Sequence, residues 1–218
     1  MINKIFTCNL ILSFLFLALT TTAQEDHEPL EDVKGFKRDL QKASKSTKSI
    51  ACDFVQQRHL SMMTQAIESK GRFWFKRPAS IRWEYDQPYA YRIILSGRKA
   101  YVQGDEESRE FDTESNAMFQ NLGEIMFSFI LGDLSKAEDN YHITYSQTPD
   151  HYHVKLVPAT ENVIEGLNQI EMYFDKQDYS LAQIIMKEQE LDFTKIDFIN
   201  RVLNSDLDDE LFEAGQAL

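Results

Sequence analysis

Cysteine, proline and glycine are all scarce in this 218-residue sequence, which has two, five and eight of them respectively. Cys8 lies in an apolar N-terminal stretch, so a secreted chain keeps only Cys52 and forms no internal disulfide. Cys52 stands among strand-like residues and is expected to be a buried, unreactive thiol. Acidic side chains outnumber basic ones by 35 to 23, which gives a net charge of −12. This charge argues against a nucleic-acid partner.

One long apolar run, Ile5 to Leu19, stands at the N-terminus behind Lys4. Small residues follow and end at Ala23, which is the layout of a cleaved secretory signal. We therefore predict that residues 1–23 are a signal peptide, that residues 24–218 form one domain, and that the product is secreted. An uncleaved anchor is the alternative, but the run is shorter than the roughly 20 residues of a spanning helix. Gln24, and not a cysteine, follows the predicted cut, so the chain is not expected to be lipid-modified itself.

The remaining pattern predicts a mainly β protein with helices. Val33, Phe36, Leu40 and Ala43 recur at helical spacing and indicate a helix over residues 30–45. Residues 24–29 are expected to be loose. From Ser49 the apolar period becomes two, with turn signals every ten or so residues, which predicts a meander of short strands in a barrel or sandwich. Strands are expected over residues 49–60, 68–77, 81–85, 89–95, 100–103, 141–146, 151–157, 167–175, 181–190 and 192–200. The acidic tail with Leu207, Leu211 and Phe212 is expected to pack only in part.

Residues 115–131 return to helical spacing, with Ser115 as a possible cap and Gly132 as a possible end. We call residues 115–131 the lid segment. A helix that is apolar over most of its circumference must be buried on two sides. An ordinary core helix remains the alternative. The apolar residues of interest are Met118, Phe119, Leu122, Met126, Phe129 and Ile130.

No catalytic motif stands out: the sequence has no Gly-x-Ser-x-Gly elbow, phosphate loop or His-Glu-x-x-His. His151 and His153 share a strand face, but two histidines at this spacing are frequent by chance. Glu106, Glu107 and Glu110 are most simply a solvated turn. We expect no enzyme activity, cofactor or metal, and a hydrolase with an unrecognised site is the remaining enzyme alternative.

Several motifs together resemble the periplasmic lipoprotein carriers of the LolA type. The stretch Gly71 to Pro78, GRFWFKRP, is followed by Arg82-Trp83-Glu84-Tyr85 and Gln87-Pro88. Phe54-Val55-Gln56-Gln57, the hairpin 93–101 and the segment 190–198 agree in order and spacing. The resemblance extends from about Lys45 to Phe212, nearly the whole predicted mature chain.

The resemblance implies a single, highly curved, unclosed antiparallel β-barrel covered by a helical lid. It implies a monomeric chaperone that accepts acylated lipoproteins from an inner-membrane release complex and delivers them to an outer-membrane acceptor. In the family, the arginine at the position of Arg77 contacts the lid and helps to control opening, and the bulky residue at Ile81 lies near the mouth. The acidic stretch Gly104 to Glu110 departs from the family pattern. Carriage of a glycolipid or polyene pigment, and lipid sensing without transport, stay open as alternatives.

A carrier of this kind needs an apolar wall. Burying one CH₂ contributes about 0.8 kcal/mol, so a 16-carbon chain offers on the order of 10 kcal/mol. If Arg77 faces inward, strand alternation places Phe73 and Phe75 on the same face, with Ile81, Trp83 and Tyr85 on the neighbouring strand. The alternative is that these aromatic residues fill a closed core.

Overall fold

The structure, a computed structural model, describes residues 27–104, 108–113, 130–132, 134, 137–160, 166–188 and 191–214. The predicted signal peptide and most of the lid segment lie outside this part of the chain. Among the lid residues singled out above, only Ile130 is described; Met118, Phe119, Leu122, Met126 and Phe129 are not. No helix in the described ranges combines the length and the hydropathy needed to cross a membrane.

The described residues form one helix and twelve strands, followed by a short 3₁₀ helix at Asp209–Phe212. The helix α1 is Val33–Ser46. The strands are β1 Glu28–Pro29, β2 Ser49–His59, β3 Ile67–Lys76, β4 Ser80–Gln87, β5 Tyr91–Ser96, β6 Lys99–Gly104, β7 Ser108–Asp112, β8 Tyr141–Gln147, β9 His151–Pro158, β10 Gln169–Asp175, β11 Leu181–Lys187 and β12 Phe193–Leu203.

All twelve strands belong to a single antiparallel sheet in the order β1-β8-β9-β10-β11-β12-β2-β3-β4-β5-β6-β7. The edges in the described part of the chain are β1 and β7, so the sheet is not closed. One apolar cluster joins Ala100 of β6, Phe54 of β2 and Leu156 of β9 with Phe36 of α1. Twelve strands spaced about 4.8 Å apart would be too wide for one cluster if the sheet were flat, so this face is concave. The predicted unclosed antiparallel barrel is confirmed.

Helix α1 begins where the sequence supplies a cap and packs on the concave face. The Asp32 side chain accepts a hydrogen bond from Gly35 N at 2.8 Å, and Phe36 and Leu40 are buried. A Cβ atom at position 35 would lie 2.1 Å from the Asp32 carboxylate, so glycine is what allows this cap. The helix predicted over residues 30–45 is confirmed, with its start three residues later.

Two segments that the sequence analysis treated as loops contain strands. Glu28 and Pro29 pair with Gln147 and Ser146, which corrects the prediction of a loose segment over residues 24–29 at these two positions, while residues 24–26 lie outside the described part of the chain. Glu110 lies in β7 opposite Tyr101, and its carboxylate is 2.8 Å from Lys99 Nζ, so it is not part of a solvated turn. Pairing with a neighbouring strand decides both cases, and neither segment has a period of its own that reveals it.

The chain after β12 crosses the convex face, and we call residues 204–213 the C-terminal strap. Asn204 N donates to Ser49 O at 2.9 Å, and Lys76 Nζ donates to Leu207 O at 2.5 Å. Arg82 Nη1 donates to Leu211 O at 3.1 Å, so the strap passes over β2, β3 and β4 in turn. Phe212 is buried, whereas Leu207 and Leu211 are half-buried and residues 208–210 are exposed, so the prediction of a partly packed tail is confirmed.

Candidate functional site

The concave face carries the five wall residues predicted on β3 and β4. Phe73 pairs with Trp83 and Phe75 with Ile81, so their side chains lie on one face. Phe73, Phe75 and Ile81 are buried, and Trp83 and Tyr85 are half-buried against the same cluster. The Phe73 and Trp83 rings are 5.2 Å apart in an edge-to-face arrangement. The predicted alternation thus places all five residues on the inner side of the sheet.

Neighbouring strands extend this wall with residues that were not predicted as wall residues from the sequence. Phe54 of β2 lies 5.2 Å from Trp83 and 5.0 Å from Tyr85, ring centroid to ring centroid. Phe198 of β12 lies 6.2 Å from Phe73. The alternation of apolar and other residues in the two strands could have revealed these wall positions. The inward positions within residues 50–54 and 194–198 are all apolar except for one threonine.

Around Tyr85 the wall contains polar atoms that carry no charge. Tyr85 Oη donates to Gln56 Oε1 at 2.9 Å, and the Tyr85 ring stacks on Tyr91 at 4.3 Å. Burial raises the pKa of the Tyr85 hydroxyl well above its ordinary value. These side chains therefore offer hydrogen bonds without placing charge on the apolar surface.

The end of the lid segment lies against the part of the wall that includes Phe73 and Phe198. Ile130 and Leu131 are helical and pack against the apolar cluster, and Gly132 follows with φ +68°, as expected for a helix end. Ile130 shares a small cavity with Ile50, Cys52, Phe73 and Phe198, and the free space there is about 10 Å³. That is roughly room for one water. An acyl chain enters between these residues only if Ile130 moves away from the wall.

Arg77 does not face inward, which corrects the assumption made from strand alternation. Strand β3 ends at Lys76, and Arg77 lies exposed in the following turn. Its Nη2 donates to Ser44 O and its Nε to Thr47 O, both at 2.7 Å. These carbonyls belong to the C-terminal end of α1, where a positive charge also interacts well with the helix dipole. The arginine therefore holds α1, and no contact with the lid segment is described.

Helix α1 in turn touches the residue that directly follows the lid segment. A Cβ atom at Gly132 would lie 2.7 Å from Leu40 Cδ1, so the helix and the segment pass very close to each other here. Arg77, α1, Gly132 and Ile130 thus form a continuous line of contacts from the exposed turn to the wall.

A family-level sequence comparison matches residues 45–214 to the outer membrane lipoprotein carrier protein LolA family. The chain belongs to this family. A relative from Methylococcus capsulatus named outer-membrane lipoprotein carrier protein is 28% identical over 172 residues, covering 77% of each chain. The resemblance drawn from the motifs at residues 54–57, 71–78 and 82–88 is thereby confirmed.

Solved structures show the same fold at low sequence identity. An uncharacterized conserved protein from Thermus thermophilus superposes with a TM-score of 0.55 at 8% identity, over 84% of this chain and 95% of that one. The complex of MucA and MucB from Pseudomonas aeruginosa gives a TM-score of 0.51 at 10% identity, and the match covers 84% of this chain and 61% of that one. At these identities the likeness concerns the fold alone.

Cys52 is a wall residue of this LolA-family chain, opposite Phe73 in the register. Burial raises the pKa of its thiol to about 12, so the reactive thiolate is suppressed at neutral pH. The prediction that the Cys52 thiol is buried is confirmed.

Of the two histidines considered as metal ligands, His153 contacts a serine and a glutamate side chain. His153 is buried on the convex face, with Nδ1 at 2.7 Å from Ser146 Oγ and Nε2 at 3.4 Å from Glu171 Oε2. This contact with His153, helped by Lys187 at 2.6 Å, lowers the pKa of Glu171 to about 2 against the opposing effect of burial. Among the residues described, no three metal-binding side chains come together.

Proposed function

We propose that this chain is a periplasmic carrier that holds the acyl chains of lipoproteins against its concave face and shuttles them from the inner to the outer membrane. Membership of the LolA family supports this role. The structural observation that carries it is the apolar wall of Phe73, Trp83 and Phe54 on an unclosed sheet, beside a helix whose C-terminal end is held by Arg77. In this proposal residues 1–23 are a signal peptide, and the partners are an inner-membrane release complex and an outer-membrane acceptor.

The opening step follows from the contacts of Arg77. When its two hydrogen bonds to the end of α1 break, only the packing of residues such as Phe36 and Leu40 still resists a movement of α1. A shift of Leu40 releases the contact at Gly132, and the lid segment that ends just before Gly132 can leave the wall. Contacts between an incoming acyl chain and the wall offset the lost packing, since each buried CH₂ contributes about 0.8 kcal/mol. The lid residues Met118, Phe119, Leu122, Met126, Phe129 and Ile130 are proposed to cover the chain from the other side.

Acyl-chain binding is the direct test of this function. We expect a fluorescent fatty acid to bind the purified protein with micromolar or better affinity and to be displaced by a triacylated lipoprotein. Mass spectrometry of protein taken from its native periplasm should find the cargo, and a glycolipid or pigment there would favour another acyl cargo. Absence of any binding at micromolar concentration would contradict the carrier function.

Replacing Arg77 by leucine should speed the dissociation of the bound probe about five- to tenfold. The variant loses both hydrogen bonds to α1, and a tenfold change corresponds to about 1.4 kcal/mol, reasonable for two exposed charge-assisted bonds. Stopped-flow dissociation measures this rate, and circular dichroism should show an unchanged fold. Arg38→Leu is the matched control, because Arg38 lies exposed on α1 and pairs with Asp39. Equal dissociation rates in the wild type and Arg77→Leu would remove Arg77 from the opening step.

A further inference from the structure

Two adjacent hairpins meet at the end of the sheet that lies opposite Arg77. His59 at the end of β2 pairs with Phe193 at the start of β12, and their rings stack at 4.2 Å. Ser61 N donates to Asp192 Oδ1 at 2.6 Å, which ties the loop after β2 to the loop before β12. The connection between β4 and β5 opens at the same end, since Tyr85 pairs with Tyr91. The turns at residues 77–79 and 176–178 lie at the other end.

Large apolar side chains project from these loops into solvent. Met62 is 88% exposed, Tyr89 78% and Leu191 77%. Met63 and Ile67 are also exposed in the first loop and at its junction with β3. We call Met62, Met63, Ile67, Tyr89 and Leu191 the apolar rim. Single exposed apolar residues are ordinary, and what distinguishes these five is that they lie at the same end of one sheet.

Two pairs of oppositely charged side chains lie beside the apolar rim, and Asp192, next to Leu191, accepts the hydrogen bond from Ser61 N. Arg58 Nη2 lies 3.6 Å from Glu188 Oε2, and Lys70 Nζ lies 3.0 Å from Glu68 Oε1. Opposite charges within each pair largely cancel at a distance. The chain as a whole carries −12, which disfavours an anionic surface.

We propose that the apolar rim docks the protein on a zwitterionic lipid surface. Its side chains stand on three separate loops, and a fluid interface receives such separate tips without the close shape complementarity that a protein partner requires. A tyrosine at the rim suits the headgroup level, and methionine adapts to an irregular apolar surface. The paired charges match a surface without net charge. The inference deepens the proposed function and rests on it, because docking on a bilayer brings the carrier to the surface where its release complex and its acceptor stand.

Sedimentation with vesicles of pure phosphatidylcholine tests the docking. We expect the secreted wild-type protein to co-sediment, and Met62→Glu/Leu191→Glu to reduce the partition coefficient at least tenfold. Thr64→Glu/Gln65→Glu adds the same charge at exposed polar positions of the first loop and should stay within twofold of the wild type. Equal binding of the two double variants, or no binding of the wild type, would overturn the proposal, as would binding that requires an anionic lipid.

A site-specific probe tests which end touches the lipid. An environment-sensitive dye on Met62→Cys should shift to the blue when vesicles are added, whereas the same dye on Gln177→Cys, at the opposite end, should not. Labelling is selective in the mature chain because Cys52 is buried. A blue shift at position 177 instead would contradict the orientation.

Fatty-acid binding measured on the same variants separates docking from carriage. We expect all rim variants to bind the acyl probe as the wild type does, because the apolar rim lies outside the wall. Normal acyl binding without vesicle binding rejects the docking surface and leaves the carrier function standing. Vesicle binding without acyl binding rejects the carrier function alone.

Discussion

Replacing Glu84 by glutamine is expected to lower the free energy of unfolding by about 3–5 kcal/mol, the usual cost of removing one partner from a buried ion pair. Glu84 points to the convex face and is only 6% exposed, as is Arg82, while Arg92 is fully buried. Arg72 Nη2 lies 2.6 Å from Glu84 Oε1, and Arg82 Nε donates to Oε2 at 2.8 Å. Arg92 Nη1 is 3.7 Å from the same oxygen. The variant keeps the shape of the side chain but removes the negative charge that three guanidinium groups share.

Urea unfolding followed by circular dichroism measures this loss. Glu110→Gln is the matched control, because its pair with Lys99 is half-exposed at both partners and such pairs contribute at most about 1 kcal/mol. Arg82 also donates to Leu211 O, so the C-terminal strap should loosen in Glu84→Gln and become a site of limited proteolysis. Similar stabilities of the two variants would show that the buried network contributes no more than a surface pair.

Replacing Gly71 by alanine should destabilise the protein by about 3 kcal/mol, at the upper end of what overpacking usually costs. A Cβ atom at position 71 would lie 1.9 Å from the carbonyl oxygen of Glu84 and 2.8 Å from Phe54 Cζ. The first of these atoms is backbone in the neighbouring strand, so the clash cannot be relieved by turning a side chain. Relief requires β3 and β4 to separate where the register already shifts between Lys70 and Gly71.

Gly104→Ala is the matched control for this variant. Nothing lies within 4 Å of a Cβ atom at position 104, which ends β6, and we expect a change within about 0.5 kcal/mol. Thermal unfolding of the two variants side by side measures the difference. If Gly71→Ala were as stable as Gly104→Ala, the close approach of β3 to β4 would not be a constraint on the fold.

Strand alternation predicted the inner wall well because it is a local property. Phe73, Phe75, Ile81, Trp83 and Tyr85 were placed together on the assumption that Arg77 faces inward, and the register shows them on one face although that assumption was wrong. The same rule failed at Arg77, one residue later, because β3 ends at Lys76 and side chains in a turn no longer alternate. Arg77 binds the end of α1, and the contact with the lid that the resemblance implies stays a prediction, because most of the lid segment lies outside the described residues.

The convex face contains buried charged residues that strand alternation does not predict. Arg82, Glu84 and Arg92 occupy outward positions, which in a half-buried sheet usually face water. The C-terminal strap covers part of this face, and Phe212 is buried. The strap follows β12 in the chain, more than 110 residues after these positions, so no local pattern signals the burial.

By itself the sequence determined the family, the mainly β architecture and the apolar wall, because composition, period and short motifs are carried by neighbouring residues. Only the tertiary structure decided that β1 and β7 form the sheet edges, that Arg77 binds the end of α1 and that Met62, Tyr89 and Leu191 share one end of the molecule. Each of these depends on the pairing of segments that are distant in the chain. Such pairing is selected by the burial of the whole concave face, a property of all strands together.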